Sequence, residues 1–563
     1  MNLQDQSTRS IRLASAACMA LAFAGCGGSD GNGADAAASS TADYRYDIDA
    51  VSTTAGTVGA TGDSTAAVRK FRAIPYAAPP LGALRWQPPQ PARSWTGTRK
   101  NNGFSANCMQ TQATVLTSIF YTQTTSVSEN CLYLNVWTPA ATAADRRPVM
   151  VLITGGGNGG GASAPTYDGG GLASKGVVVV TFNSRLGVLG WLAHPELSAE
   201  SANKVSGNYG LLDMIAALQW VKANIANFGG DPGNVTVFSQ SSGAWNTNLL
   251  MVSPLAKGLF HKAVLESGGQ FPGIKGNART LAQAEQSGIA FAVTAKAADL
   301  AALRAMSATD IQVFSNSFPQ EKNIDGYVLP DQIDILFRAG QAADIPVITG
   351  TNSDEQTMNP PGFATTLAAF QAQSMVFGSF AAEVQSLYHV TDDASAFAVR
   401  FLVVQDFETS WQPYVLARTM RAKYTSKPYV YLFNRVPPYY PEQRNYTEAA
   451  DPTMLGAYHT LEQFYLYNNL RQWPRPYTAV DLRLADIGST YLVNFATSGD
   501  PNQPVTTTDA GNVVPQWPAF APTGGQLMLL GDVIAPAAPP NQAALDLFDR
   551  VWLQKMGRPL AFQ

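Results

Sequence analysis

Short apolar runs rich in β-branched residues alternate along this chain with stretches of helical periodicity. The runs cover residues 149–153, 177–182, 235–238, 345–349 and 429–433. Between the second and third runs, apolar residues recur every three or four positions, at Ile215, Leu218, Val221 and Ile225. Strands that alternate with helices form a mostly parallel sheet with helices on both faces. The pattern therefore predicts a large α/β domain.

The composition fits a large folded core and excludes several classes of protein. Hydrophobic residues make up 46% of the 563 residues, which is more than a disordered chain contains. Lys and Arg total 37 against 41 Asp and Glu, a net charge of -4 that argues against a nucleic-acid partner. No apolar run reaches the roughly 20 residues of a membrane-spanning helix. We expect one domain over residues 44–563.

The N-terminal segment is typical of an export signal. Arg9 and Arg12 precede an apolar stretch at residues 13–25, within the roughly 7–15 residues of a signal-peptide core. Cys26 directly follows the stretch, and the last residues of the stretch together with Cys26 resemble a bacterial lipobox, in which that cysteine is lipidated. The alternative is an ordinary cleaved signal with an incidental Cys26. We expect a signal peptide (1–25), a flexible tether (26–43) and an exported protein, either secreted or a periplasmic, outer-membrane-anchored lipoprotein.

The cysteine count agrees with export. Beyond Cys18 in the expected signal peptide and Cys26 directly after it, only Cys108 and Cys131 remain. A lone pair in an oxidising compartment indicates a disulfide, which would stabilise the fold by roughly 3 kcal/mol. Two free buried thiols are the alternative. No histidine lies at ligand spacing from either cysteine, so no metal site is expected there.

A candidate nucleophile is identified by its context. The pattern Gly-x-Ser-x-Gly occurs at residues 27–31, in the tether, where no strand precedes it and no helix follows. The motif works only as a strand–turn–helix device that lifts the serine oxygen above a sheet. That context exists at residues 234–243, which read NVTVFSQSSG and lead into a helical stretch at 244–251. The candidate is therefore Ser241, with Ser239 where the motif has its first glycine.

These and other segments resemble the type B carboxylesterase/cholinesterase family of α/β-hydrolases. The matching segments are FRAIPY at 71–76, SENCLYLNV at 128–136, GNYGLLD at 207–213, FGGDP at 228–232 and GDPN at 499–502. They occur in the family's order and span roughly residues 44–555. The resemblance implies an α/β-hydrolase fold, a large mostly parallel central sheet with helices on both faces. It also supports the Cys108–Cys131 disulfide.

A serine nucleophile needs a histidine base that a carboxylate orients. The chain has four histidines, His194, His261, His389 and His459. The segment around His459 resembles the loop that carries the family's catalytic histidine. α/β-Hydrolases order their triads serine, acid, histidine, and Glu355 follows the 345–349 run, where the family has its triad acid. Asp354 is the competing candidate for the acid.

The predicted oxyanion hole follows the 149–153 run, where the family has a Gly-Gly-Gly turn. By resemblance, the backbone N–H groups of Gly156, Gly157 and Ser242 stabilise the developing oxyanion. A phosphate-binding loop is the alternative, but the Lys-Ser/Thr pair that it needs is missing. Several neighbours depart from the family pattern, namely Thr154, Asn158, Gln240, Ser242 and Trp245. The neutral Gln240 makes a choline-like cationic substrate less suitable.

Together these residues predict a serine carboxylic-ester hydrolase that forms an acyl-enzyme on an uncharged, small-molecule ester. Neither a cofactor nor a metal is expected. One alternative is an amide, carbamate or polymer-ester hydrolase that uses the same triad. A second is a non-catalytic binding protein of the same fold, which the presence of all three triad residues disfavours. A lipid anchor to a bacterial membrane through Cys26 is a further possible partner.

Overall fold

A ten-stranded sheet lies at the centre of the protein. The structure is a computed structural model that describes residues 49–110, 126–158, 167–269, 271, 277–315, 318–319, 322–357, 365–440, 455–521 and 523–563. The described residues belong to one compact unit. The expected signal peptide (1–25), tether (26–43) and lipidation candidate Cys26 lie outside the described residues and stay predictions.

The sheet combines a long parallel centre with antiparallel edges. The strands of the described residues are β1 (Ala50–Ser52), β2 (Thr57–Gly59), β3 (Arg69–Pro75), β4 (Thr98–Arg99), β5 (Asn107–Cys108), β6 (Val127–Ser128), β7 (Tyr133–Thr138), β8 (Arg147–Ile153), β9 (Val178–Phe182), β10 (Gly230–Gln240), β11 (Lys262–Glu266), β12 (Arg279–Thr280), β13 (Asn323–Ile324), β14 (Val347–Asn352), β15 (Pro428–Phe433), β16 (Leu527–Leu530) and β17 (Ile534–Ala537). The order in the central sheet is β17-β16-β15-β14-β11-β10-β8-β9-β7-β3. Strands β16 to β9 in that order are parallel, whereas β17, β7 and β3 pair antiparallel.

Helices connect most of the parallel strands. The α-helices of the described residues are α1 (Gly170–Ala173), α2 (Gly187–Trp191), α3 (Pro195–Glu200), α4 (Tyr209–Asn224), α5 (Ser242–Val252), α6 (Leu281–Thr294), α7 (Leu300–Ala305), α8 (Ala308–Ser315), α9 (Ile333–Arg338), α10 (Leu367–Ser374), α11 (Ala381–Leu387), α12 (Asp393–Val399), α13 (Leu402–Val404), α14 (Trp411–Lys423), α15 (Glu462–Leu466), α16 (Ala479–Ser498) and α17 (Gln542–Met556). Short 3₁₀ turns lie at Gly82–Leu84, Ala143–Asp145, Ile225–Phe228, Pro254–Ala256, Met375–Phe380 and Leu470–Gln472, and a π-helical turn at Gln405–Ser410.

The apolar strands are buried on both faces of the sheet. In β8, Val149, Val151 and Ile153 enter one apolar cluster together with residues of α4 and α5. The alternate residues Met150 and Leu152 enter a second cluster with residues of α16. Successive side chains of a strand point to opposite faces, so a strand covered on both sides must be apolar throughout. This arrangement confirms the predicted α/β fold with helices on both faces of a mostly parallel sheet.

The parallel pairing brings three predicted site segments to one edge of the sheet. Strand β10 lies between β8 and β11, and β14 lies beyond β11. Ser239 pairs with Ile153, and Gln240 pairs with Glu266, which in turn pairs with Gly350. The loops that follow β8, β10 and β14 therefore leave the same edge, which is where ligands bind in open α/β sheets.

Cys108 and Cys131 form a disulfide, with their Cα atoms 5.0 Å apart. Both cysteines are buried. The bridge lies beside the two short strands β5 and β6, which pair in parallel. The predicted disulfide is thus present, and the alternative of two free thiols is wrong.

Among the described helices, none is both long and apolar enough to cross a membrane.

Candidate active site

Ser241 lies on a sharp turn between β10 and α5. Its backbone has φ 55° and ψ −126°, a conformation that a side chain disfavours and that marks a strained turn. The Ser241 N–H donates to the Glu266 carbonyl at 2.9 Å, which ties the turn to β11. A Cβ on Gly243 would lie 2.1 Å from the Ile153 oxygen, so only glycine lets the helix approach β8. The predicted strand–turn–helix context of Ser241 is present.

Ser239 fits the place where the motif has its first glycine. The side chain is fully buried, and its hydroxyl donates to the Val264 carbonyl at 2.9 Å. The Thr247 hydroxyl in turn donates to the Ser239 oxygen at 2.9 Å. Because both bonds satisfy the buried hydroxyl, a serine is accommodated in the strand that leads to the turn.

Glu355 and His459, which are 104 residues apart along the chain, are joined by a hydrogen bond. The Nδ1 atom of His459 bonds to Oε2 of Glu355. The other carboxylate oxygen of Glu355 accepts from the Asn352 N–H at 2.7 Å and from the Thr351 hydroxyl at 2.9 Å. These donors fix the carboxylate, and the carboxylate fixes the ring, which is the arrangement that a histidine base needs.

The electrostatics of the pair favour an ionised acid beside a basic imidazole. Burial alone would raise the pKa of the Glu355 carboxyl, but the charge and hydrogen bond of His459 outweigh it and lower that pKa. Burial would likewise lower the pKa of His459, but the Glu355 charge and hydrogen bond raise it above the usual 6.5. A base with a raised pKa accepts a hydroxyl proton more readily.

Asp354, the competing candidate for the acid, accepts hydrogen bonds from a backbone N–H and from a neighbouring hydroxyl. Its Oδ2 atom accepts from the Ala457 N–H at 2.9 Å and from the Ser353 hydroxyl at 2.6 Å. Asp354 also forms a short parallel bridge with Tyr458. The side chain therefore fastens the loop that carries His459 to the end of β14, whereas the carboxylate that is bonded to the imidazole is that of Glu355.

The imidazole also lies against the residue that precedes Ser241. The Nε2 atom of Gln240 is 3.3 Å from Nε2 of His459 and 3.5 Å from its Nδ1. Gln240 is buried, while the His459 side chain is 24% exposed. The structure thus brings the histidine loop, the Glu355 carboxylate and the Ser241 turn together at the carboxyl edge of the sheet.

The predicted oxyanion turn packs directly against the Ser241 turn. Gly156 and Gly157 have φ values of 112° and 66°, which glycine adopts without strain. A Cβ on Gly155 would lie 3.0 Å from the Cβ of Ser241, which shows how closely the two turns approach. The N–H of Asn158 donates to the Ser242 hydroxyl at 3.3 Å. Backbone N–H groups of both turns are therefore near one another.

Two buried carboxyl groups behind the pair were missed in the sequence. Glu462 accepts from the Ser267 hydroxyl at 3.0 Å and bonds to the Asn352 amide. Burial, and then the charge of Glu355, raise the pKa of Glu462 to about 7. Glu266 is fully buried, and Tyr467 donates to it at 2.7 Å. The available signal was an acidic residue inside an apolar segment, as in Ala263-Val264-Leu265-Glu266.

The other three histidines lie elsewhere in the fold, two of them bonded to backbone N–H groups and one exposed. The Nδ1 atom of His194 accepts from the Glu196 N–H at the start of α3. The Nδ1 atom of His261 accepts from the Val235 N–H, near the middle of β10 and away from the Ser241 end. His389 is exposed and follows α11. Among the four, His459 is the one bonded to a buried carboxylate.

Comparison with known proteins gives the family. The sequence profile described as "Carboxylesterase family" matches residues 49–539. The chain belongs to the type B carboxylesterase/cholinesterase family. It is similar to the fumonisin B1 esterase of Sphingopyxis macrogoltabida, 43% identical over 300 residues that cover 51% of this chain and 53% of the relative. The chain thus spans about half the length of that relative.

Two other relatives of this carboxylesterase-family chain match over most of their length. The para-nitrobenzyl esterase of Bacillus subtilis is 31% identical over 497 residues, covering 84% of this chain and 93% of the relative. Liver carboxylesterase 1 of Oryctolagus cuniculus is 29% identical over 540 residues, covering 87% and 90%. The family match includes the turns and loops that carry Ser241, Glu355 and His459.

The pH dependence of this family member is expected to report on His459. A histidine base must be neutral to accept a proton, so kcat/KM is expected to fall as the pH drops through the pKa of His459, which is raised above 6.5. Among the described residues, Glu355 and the neutral Gln240 contact the ring, and the charge of Glu462 acts on it as well. Gln240→Glu adds a negative charge next to the imidazole and is expected to move the acid limb up by about 1 pH unit. Gln240→Met, of similar length and uncharged, should leave the limb in place. An unshifted limb in Gln240→Glu would contradict this assignment.

Proposed function

We propose that this chain is a serine carboxylic-ester hydrolase that works through an acyl-enzyme on an uncharged ester. The observation that carries the proposal is the hydrogen bond from His459 to the buried Glu355, made where the imidazole lies against Gln240, the neighbour of Ser241. A nucleophile, a base and an orienting carboxylate at one sheet edge are the parts that acyl transfer requires.

In the proposed reaction, the Ser241 hydroxyl oxygen attacks the ester carbonyl carbon while the His459 ring takes its proton. The Glu355 carboxylate holds the ring through Nδ1 and stabilises the imidazolium that forms. The backbone N–H groups of Gly156, Gly157 and Ser242 stabilise the oxyanion. The imidazolium then protonates the leaving alcohol. Water attacks the acyl-enzyme by the same steps, releases the acid and restores the Ser241 hydroxyl.

The preference for an uncharged substrate is supported by the side chain next to the nucleophile. Gln240 places a carboxamide against the imidazole, where the family has an acidic residue. The carboxyl groups nearby, Glu266 and Glu462, are both buried and have raised pKa values because burial disfavours their charged forms. Gln240 therefore supplies no negative charge that would attract a cationic substrate.

We also propose that the mature protein is exported, either secreted or held at a bacterial membrane by a lipid on Cys26. The support is the arginine-flanked apolar leader, together with the Cys108–Cys131 disulfide. Structural disulfides persist in oxidising compartments such as the periplasm and the extracellular space.

A fluorophosphonate probe tests the hydrolase proposal. Such probes phosphonylate an activated serine, so one covalent adduct is expected, mapped by peptide mass spectrometry to Ser241. The matched control is Ser29→Ala, which removes the serine of the Gly-x-Ser-x-Gly pattern in the tether and should label like the wild type. A wild-type protein that is not labelled and gives no burst of product with a p-nitrophenyl ester would overturn the proposal in favour of a binding protein.

A further inference from the structure

The oxyanion turn ends in a residue whose backbone conformation is unfavourable for a side chain. Gly156, Gly157 and Asn158 have φ values of 112°, 66° and 65°, three consecutive residues in the left-handed half of the map. Glycine adopts such angles freely, whereas asparagine does so at some cost in free energy. A non-glycine residue persists there only when its surroundings fix it.

Three polar groups of Asn158 are each hydrogen-bonded. The N–H donates to the Ser242 hydroxyl at 3.3 Å, and the carbonyl accepts from the Gly187 N–H at 2.7 Å. The side-chain oxygen accepts from the Asn246 amide at 2.8 Å. Asn158, Ser242 and Asn246 are 4%, 1% and 1% exposed. We call the four residues Asn158, Gly187, Ser242 and Asn246 the Asn158 clasp.

The clasp joins the oxyanion turn to the helix that begins at the nucleophile. Ser242 and Asn246 lie one turn apart on α5, which starts immediately after Ser241. Asn158 follows directly after Gly156 and Gly157. The backbone between Asn158 and β8 contains three consecutive glycines and is intrinsically free to rotate. Fixing Asn158 to α5 therefore fixes the glycine N–H groups relative to the Ser241 hydroxyl.

We propose that Asn158 and Asn246, together with the Ser242 hydroxyl, are positioning groups that hold the oxyanion hole in register with Ser241. The inference rests on the proposed hydrolase function. Donors of such a hole act only when they lie 2.7–3.1 Å from the place that the oxyanion will occupy. A displacement of about 1 Å can cost 10²-fold in rate. The clasp acts through the backbone and does not touch the substrate.

Three variants remove one bond of the clasp each. Ser242→Ala removes the acceptor of the Asn158 N–H and keeps the Ser242 backbone N–H, and Asn246→Ala removes the amide donor. Asn158→Gly keeps the left-handed backbone and removes the side-chain oxygen. Each is expected to lower kcat by about 10- to 100-fold with little change in KM, because the hole binds the transition state and not the ground state.

A transition-state analogue separates positioning from stability. A trifluoromethyl ketone adds the serine oxygen to its carbonyl and places an oxyanion in the hole. Its inhibition constant should rise in each variant by the same factor as kcat/KM falls. Because Asn158→Gly and Asn246→Ala break the same bond, the double variant should lose no more than the larger single loss.

The control variant is Asn224→Ala. Asn224 is also a buried asparagine that bridges two segments, donating to the Trp220 carbonyl at 2.9 Å and accepting from the Thr54 N–H at 2.7 Å. It lies at the end of α4 that leads into β10, away from Ser241. It should lower Tm without changing kcat or the ketone's inhibition constant.

Clasp variants that lose Tm as Asn224→Ala does, with an unchanged inhibition constant for the ketone, would overturn the proposal. The test starts from wild-type enzyme that the fluorophosphonate labels at Ser241. If the wild type is labelled but the clasp variants keep the wild-type inhibition constant for the ketone, the clasp proposal alone is wrong. If the wild type is not labelled, both the hydrolase function and the clasp proposal are wrong.

Discussion

Ser241→Ala is expected to lower kcat for ester hydrolysis by about 10⁶-fold, the size of loss seen when the nucleophile of a serine hydrolase is removed. Ser241 lies on the turn at the sheet edge. The residue before it, Gln240, contacts His459. Without the hydroxyl no acyl-enzyme forms. The oxyanion turn and the His459–Glu355 pair remain, so a residual rate of about 10³–10⁴ over water is expected.

The measurement is the steady-state and burst kinetics of a p-nitrophenyl ester, with the fluorophosphonate adduct followed in parallel. Ser253→Ala is the matched control, since Ser253 lies just beyond the other end of the same helix. Its hydroxyl is buried and has no hydrogen-bond partner among the described residues, so its removal should leave kcat and Tm close to the wild type. Ser241→Ala protein that turns over at the wild-type rate would remove Ser241 from the mechanism.

The sheet and the nucleophile turn could be predicted because both have local signals. The apolar run at 149–153 lies within β8, and the run at 429–433 lies within β15. The helical spacing of Ile215 and Leu218 falls within α4. A strand buried on both faces must be apolar throughout, which makes such strands visible in one sequence.

Other elements were missed because their pattern is short or their contacts are distant. Strands of two or three residues, such as β5 and β12, are too brief for any periodicity to show. Strand β10 begins at Gly230, earlier than the predicted 235, through a pairing with Arg147 that is irregular up to Val235. That extension depends on a neighbouring strand, which a local pattern does not report.

In the candidate site, too, residues in local motifs could be predicted, whereas residues joined by distant contacts could not. Ser241 and the glycines of the oxyanion turn lie in motifs of a few residues. The clasp links Asn158 to Asn246, 88 residues further along the chain, and its bonds exist only once α5 packs beside β8. Glu462 lies three residues after His459, and its burial, followed by the charge of Glu355, raises its pKa to about 7. Such contacts follow from tertiary packing, which residue types alone do not specify.

Glu355→Gln is expected to lower kcat by about 10⁴-fold with little change in KM, as when the orienting acid of a triad becomes an amide. The carboxamide carries no charge to stabilise the imidazolium. Its NH₂ group can also donate to Nδ1 of His459, which leaves the proton on Nε2, the atom that must accept the serine proton. Since Glu355 raises the pKa of His459, its removal should also move the acid limb of the pH profile to lower pH.

Glu462 cannot replace the missing carboxylate, although losing the Glu355 charge removes one of the causes that raise its pKa. Its two oxygens are bonded to Ser267 and Asn352, and the ring nitrogen Nδ1 is bonded to Glu355. Asp354→Asn is the matched control, because an asparagine oxygen can still accept from the Ala457 N–H. It should keep kcat within a few-fold of the wild type. If Asp354→Asn lost about 10⁴-fold and Glu355→Gln did not, Asp354 would be the triad acid and the imidazole would have to turn away from the carboxylate that now holds it.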